Sequence, residues 1–98
     1  MMEHYILDSQ KQAHPATFEE YAAWLNGNSD CRRVALTKVG AAAVSTVFLG
    51  LDHSWDGGAP LIFETMVFGG PLDQEMTRYS TWDEAQRGHE AMVERVKQ

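Results

Sequence analysis

The chain has 98 residues, and its 14 Asp and Glu side chains outnumber its 8 Lys and Arg side chains, giving a net charge of −6. This length suits a single domain over residues 1–98. The acidic balance argues against direct binding of nucleic acid, because such binding requires a cationic surface.

The N-terminal third is predicted to contain a short strand, a loop and a helix. His4–Leu7 is typical of a short edge strand, and the polar residues 8–15 indicate a loop. A capping box, Thr17-Phe18-Glu19-Glu20, predicts that a helix begins at Thr17. Its expected end is Asn26-Gly27-Asn28, because glycine accepts a left-handed C-cap. Apolar residues at helical spacing predict the buried stripe of this helix: Phe18, Tyr21, Ala22 and Leu25.

The middle of the chain is rich in strand-forming residues. In the first predicted strand, residues 32–39, alternation places Val34 and Leu36 on one face and Arg33 and Thr37 on the other. The second, residues 43–51, is apolar on both faces, which predicts a central strand covered on both sides. Two further strands are predicted after turn-forming segments: Leu61–Phe68 and Glu75–Tyr79.

A second capping box, Thr81-Trp82-Asp83-Glu84, predicts a C-terminal helix. Because the strands follow one another without intervening helices, the predicted fold is α+β, with a four- to five-stranded antiparallel meander between one helix and a C-terminal helix. His89 is interpreted as a residue at the rim of the core. It belongs to the apolar stripe of this helix: Trp82, Ala85, His89, Met92, Val93 and Val96.

Three segments carry a resemblance to a known family. They read VSTVFLGLDH at residues 44–53, LIFETMVFGG at residues 61–70, and YSTWDEA at residues 79–85 followed by Gly88-His89. These segments resemble a family of small uncharacterised proteins of tailed bacteriophages and prophages. The resemblance implies a phage origin, and it implies no particular activity, cofactor or catalytic residue.

The compartment follows from three features of composition. No stretch reaches the ~20 apolar residues that cross a bilayer, so no membrane association is expected. The N-terminus has no basic run followed by an apolar segment, so a signal peptide is not expected. Cys31 is the single cysteine. An intramolecular disulfide is therefore excluded, and Cys31 is interpreted as a reduced thiol. A cytoplasmic location is therefore expected, and the resemblance to phage proteins implies that this is the cytoplasm of the host cell.

The candidate site is the loop at residues 52–58 together with Glu64, which interrupts an apolar strand. One interpretation is a polar or metal-binding site, because carboxylates and imidazole bind divalent metals. The alternative is that Glu64 faces solvent or pairs with Arg78 or Lys38. Trp55 is either a contact residue or folds back over the sheet edge. The candidate binding residues are Asp52, His53, Trp55, Asp56 and Glu64.

The sequence contains no nucleophile elbow, phosphate-binding glycine loop or zinc-binding helix motif, so no catalytic residue, metal or cofactor is assigned. The favoured hypothesis is a non-enzymatic, phage-encoded binding protein that acts on a host factor or defence system through protein–protein contacts. The alternatives are an oligomeric binder of a small ligand such as a nucleotide signal, a metal-dependent enzyme at His53 and Glu64, and a structural or packaging accessory. The partners expected are a host or phage protein and, because the sheet is apolar on both faces, a second copy in a homodimer.

Overall fold

The computed structural model describes residues 3–98, which form an α+β fold as predicted. Strands β3 to β6 make a four-stranded antiparallel meander in chain order, and β1 and β2 form a separate hairpin. Neither α-helix in this part of the chain has the length and apolar content needed to cross a membrane. The elements are β1 (His4–Leu7), β2 (Ala13–Ala16), α1 (Phe18–Gly27), a 3₁₀ helix (Ser29–Arg32), β3 (Arg33–Val39), β4 (Ala42–Phe48), β5 (Phe63–Phe68), β6 (Met76–Tyr79) and α2 (Trp82–Lys97).

The N-terminal hairpin confirms the predicted strand at residues 4–7 but corrects the loop predicted at residues 8–15. β2 occupies the second half of that segment and pairs antiparallel with β1. The Asp8 carboxylate closes the turn by accepting the amides of Gln10 and Gln12, at 2.8 and 2.9 Å. Pro15 hid β2 from the sequence pattern, because proline lacks the amide of a central strand and is tolerated only at an edge such as this one.

Helix α1 begins at the predicted capping box, in which Thr17 is the N-cap. The helix ends within the predicted segment Asn26–Asn28, but without the left-handed glycine cap. Gly27 is its last helical residue, and Asn28 follows as the C-cap with φ of −135°, donating its side-chain amide to the Trp24 carbonyl. The predicted stripe is also shifted, since Phe18 is 63% exposed while Tyr21 is buried. The least exposed side chains of α1 are Tyr21, Trp24 and Leu25, and Trp24 packs against the core.

Helix α2 lies against one side of the four-stranded sheet and contacts all four strands, whereas α1 packs mainly on the β1–β2 hairpin. The Trp24 ring of α1 packs on Phe48, and Leu7 of the hairpin belongs to the same buried cluster on that inner face. The prediction that β4 is covered on both sides is therefore wrong. Val44, Thr46 and Phe48 are buried, whereas the alternate residues of β4 are only half-buried. The strand register assigns the following residues to the uncovered side, the outer face: Arg33, Leu36, Lys38, Ala43, Ser45, Val47, Glu64, Met66, Phe68, Met76 and Arg78.

A β-bulge near the start of β3 corrects the predicted faces of that strand. The register with β4 shifts between Arg33 and Ala35, so one extra residue is accommodated. As a result Val34 packs against the core, whereas Leu36 is 46% exposed on the outer face. Thr37 lies on the inner face.

The core consists of two apolar clusters under α2, joined by a buried polar network. The stripe predicted for α2 is confirmed, and His89 is fully inside it rather than at its rim. Its Nδ1 lies 2.7 Å from the Thr46 hydroxyl, and its Nε2 lies 2.9 Å from the Thr37 hydroxyl. Thr46 in turn lies 2.5 Å from Thr65. The clusters are Leu7, Phe48, Ile62, Phe63 and Ala85, and Val44, Val67, Met92 and Val93.

Gly88 is the point of closest approach between α2 and β6. A Cβ at this position would overlap the ring of Tyr79, which is half-buried against the core. In a helix interior, alanine normally stabilises by ~1 kcal/mol relative to glycine. Here we expect Gly88→Ala to destabilise the protein by about 2 kcal/mol in urea unfolding, because overpacking outweighs helix propensity.

The matched control is Gly27→Ala. Gly27 is also helical, and no atom lies within 4 Å of a Cβ built there. This variant is expected to keep or slightly increase the free energy of unfolding. An increase in stability for both variants would show that Tyr79 yields to the extra methyl group without cost.

Candidate functional site

The connection between β4 and β5 carries four of the five candidate residues. Its base is fixed by backbone hydrogen bonds, in which the amide of His53 donates to the Leu61 carbonyl at 3.0 Å. The same base is bound to β1, because the amide of Tyr5 donates to the Gly50 carbonyl at 2.8 Å and that of Asp52 to the Glu3 carbonyl at 3.0 Å. Residues 52–60, called here the Trp55 loop, therefore project from a base held on two sides.

The two aspartates of the Trp55 loop bind its backbone. Asp52 Oδ1 accepts the amides of Ser54 at 2.8 Å and Leu61 at 3.0 Å. Asp56 Oδ1 accepts the Gly58 amide at 2.9 Å. Partial burial acts to raise the pKa of Asp52, but the hydrogen bonds from Ser54 and Leu61 and the nearby His53 together hold that pKa below its usual value. Both carboxylates thus shape the loop.

Trp55 projects from this loop with 94% of its surface exposed. It does not fold back over the sheet edge, which was one of the two alternatives for this residue. Tryptophan combines a large apolar area with an indole donor and is usually largely buried. A tryptophan this exposed on a loop with a hydrogen-bonded backbone is placed to contact another molecule.

Glu64 does not join the loop residues. It lies on the outer face, directly opposite Arg78 in the register of β5 and β6. Arg78 Nε donates to Glu64 Oε2 at 3.1 Å, so the pairing alternative is the one observed, with Arg78 rather than Lys38 as the partner. Among residues 3–98, no three His, Cys, Asp or Glu side chains are grouped so that they could hold a metal ion.

The sequence pattern missed a row of mostly apolar residues across the outer face, called here the apolar row. Leu36, Ser45, Met66 and Met76 are aligned in direct register on β3, β4, β5 and β6. Leu36 is 46% exposed and Met76 is 40% exposed, and the neighbouring Phe68 is 52% exposed. Alternation within β5 indicated that Met66 and Phe68 share a face. Nothing local to one strand showed that Leu36 and Met76 complete the row.

Comparison with protein-family models, with curated proteins and with solved structures found no match for this chain. The function is therefore inferred from the geometry of residues 3–98.

Proposed function

We propose that the protein is a non-enzymatic binding protein that acts through protein–protein contacts, with Trp55 as its main contact residue. The observation that carries this proposal is the 94% exposure of that side chain on a loop held by Asp52 and Asp56. Tryptophan is among the residues most enriched at the energetic centres of protein interfaces.

The loop is suited to binding on energetic grounds. A tryptophan side chain buries roughly 150–250 Å² when it enters a pocket. At about 25 cal/mol per Å², that burial contributes on the order of 4–6 kcal/mol before the costs of association. Those costs are reduced here because hydrogen bonds from Ser54, Gly58 and Leu61 already order the backbone.

The resemblance to phage and prophage proteins favours a host factor or a defence system as the partner, in the cytoplasm of the infected cell. Asp52 and Asp56 flank Trp55, and the whole chain has a net charge of −6. A partner with an apolar pocket surrounded by basic residues complements this loop.

The homodimer expected from the sequence stays a prediction. The inner face of the four-stranded sheet is covered by α2, the N-terminal hairpin and Trp24 of α1. The outer face is accordingly the uncovered side of the sheet.

Truncating Trp55 is expected to abolish partner capture while leaving the fold intact. Immobilised wild-type protein and Trp55→Ala are compared in lysates of a bacterial host, with bound proteins identified by mass spectrometry. We expect the wild type to retain a specific protein and Trp55→Ala to retain at least tenfold less of it, because interface tryptophans commonly contribute 2 kcal/mol or more. Thermal unfolding of the two proteins is expected to coincide.

The matched control is Phe18→Ala, which removes the next most exposed aromatic side chain, at 63%. Phe18 lies at the start of α1, outside the Trp55 loop, with its ring against that of His4. It is expected to retain the partner at the wild-type level. If both variants recover the same proteins as the wild type, or if the wild type recovers none specifically, the loop is not the docking surface.

A further inference from the structure

The outer face has a charge opposite to that of the whole chain. Of its eleven residues, three are cationic, Arg33, Lys38 and Arg78, and one is anionic, Glu64. Glu64 neutralises Arg78 in the ion pair already described. The strand residues of this face therefore carry an excess of positive charge from Arg33 and Lys38, with Asp30 beside Arg33 at one corner, although the protein as a whole carries a net charge of −6.

The two cations border an apolar centre. Both lie on β3, the edge strand of the sheet, and both are exposed. Beside them runs the row from Leu36 through Met66 to Met76, with Phe68 next to it. An apolar centre with a charged border is the arrangement typical of a protein interface.

We propose that the outer face docks an apolar segment of another protein that is bordered by carboxylates. Docking on the apolar row buries Leu36 and Met76 and the neighbouring Phe68. These side chains are 46%, 40% and 52% exposed in the free protein. Arg33 and Lys38 supply the attraction for Asp and Glu side chains beside that segment. This surface is separate from the acidic Trp55 loop. The outer face is expected to bind an acidic partner, whereas the Trp55 loop is expected to bind a basic one.

The charge on the outer face argues against two other occupants. A symmetric face-to-face dimer would bring two copies of Arg33 and Lys38 into one interface whose Glu64 carboxylates are already paired with Arg78, and like charges so placed cost several kcal/mol. Nucleic acid would meet only these two uncompensated cations, while the rest of the molecule is acidic. Phosphate backbones are bound by larger sets of Lys and Arg.

The dimensions of the face fit one helix. Four strands spaced by about 4.8 Å give an apolar row about 14 Å long, and successive outer residues on a strand lie about 7 Å apart. A helix with its side chains is about 10–12 Å in diameter. A contact of this size belongs to the small, transient class of interfaces, so affinity in the micromolar range is expected.

The probe is a 15-residue amphipathic helical peptide with a leucine stripe on one face and glutamates along both borders of that stripe. We expect it to shift the amide NMR signals of β3 to β6, and to bind at least tenfold more weakly at 500 mM than at 50 mM NaCl. Arg33→Glu combined with Lys38→Glu is expected to abolish binding, and Leu36→Ala to weaken it. Trp55→Ala is expected to bind the peptide as tightly as the wild type. Failure of this inference can therefore be told apart from failure of the Trp55 proposal.

Three results would overturn this inference. One is equal binding of a peptide in which lysine replaces glutamate. Another is tighter binding of a 15-nucleotide oligothymidine than of the acidic peptide, which would make nucleic acid the occupant. The third is a wild-type dimer in sedimentation velocity that Leu36→Glu dissociates, which would make a second copy of this chain the occupant.

Discussion

Replacing Gly50 by alanine is expected to lower the free energy of unfolding by about 3 kcal/mol, measured in urea. Gly50 has φ of 76°, where an L-residue costs roughly 1–2 kcal/mol. Its Cβ would also overlap the ring of Tyr21, and such overpacking costs roughly 1–3 kcal/mol. The ring is buried, and its hydroxyl donates to the Leu49 carbonyl at 2.9 Å, so it moves only by breaking that bond.

Gly40→Ala is the control that separates these two costs. Gly40 has φ of 59°, and no atom lies within 4 Å of a Cβ built there. Only the backbone cost applies, so about 1 kcal/mol is expected. Equal losses for the two variants would show that the Tyr21 contact contributes nothing.

The position of Gly50 connects this loss of stability to the Trp55 loop. Its carbonyl accepts the amide of Tyr5, and Asp52 begins the Trp55 loop two residues later. Tyr21, on α1, closes over the same point. Gly50 therefore lets β1, α1 and the base of the Trp55 loop meet in one place. Strain there disturbs the loop's support as well as overall stability.

His89→Ala is also expected to lower the free energy of unfolding by about 3 kcal/mol. The substitution leaves a cavity under α2 and removes the hydrogen-bond partner of Thr37. Thr46 loses one of its two partners and keeps Thr65. Cavity formation and loss of a buried hydrogen bond each contribute roughly 1–3 kcal/mol. Urea unfolding at pH 7.5 measures the effect.

The pH dependence of the free energy of unfolding distinguishes a buried, neutral His89 from the effect of a cavity alone. Burial lowers the pKa of His89 below its ordinary value of 6.5, and this outweighs the opposing effect of Glu90. The unfolded chain therefore binds the proton more readily than the folded protein. The His89 contribution is fully present above about pH 6.5 and is lost as the pH falls below that value.

We accordingly expect wild-type stability to fall between pH 7.5 and pH 5, and the fall to be smaller in His89→Ala. Asp8 and Asp52, whose pKa values are lowered, act in a different window: their contribution is lost only as the pH falls below about 3.8. An identical slope for the two proteins between pH 7.5 and pH 5 would contradict burial of a neutral His89.

Features encoded within a few residues were predictable from the sequence. Both helices begin where Thr17 and Thr81 form capping boxes, because the box is complete within four consecutive residues. The stripe of α2 was predictable for the same reason, since its spacing is fixed by helical geometry. Strand existence followed from β-branched and aromatic composition at residues 42–48 and 63–68.

Features that depend on a partner strand were not predictable. The bulge that turns Leu36 outward exists only in the register of β3 with β4. The network around His89 joins Thr37, Thr46 and Thr65 from three strands, and only their register brings the hydroxyls together. The sequence indicated both Trp55 and Glu64 as candidate binding residues. Only the pairing of Glu64 with Arg78 across the sheet shows that Glu64 lies apart from the Trp55 loop.

The central claim, that Trp55 is the point of contact with a partner, is tested most directly by photo-crosslinking. p-Benzoylphenylalanine is incorporated in place of Trp55 and, as the control, in place of Phe18, and each protein is irradiated in bacterial host cells. The account predicts one discrete adduct from position 55 that is absent from position 18. No adduct from position 55, or the same adducts from both positions, would contradict it.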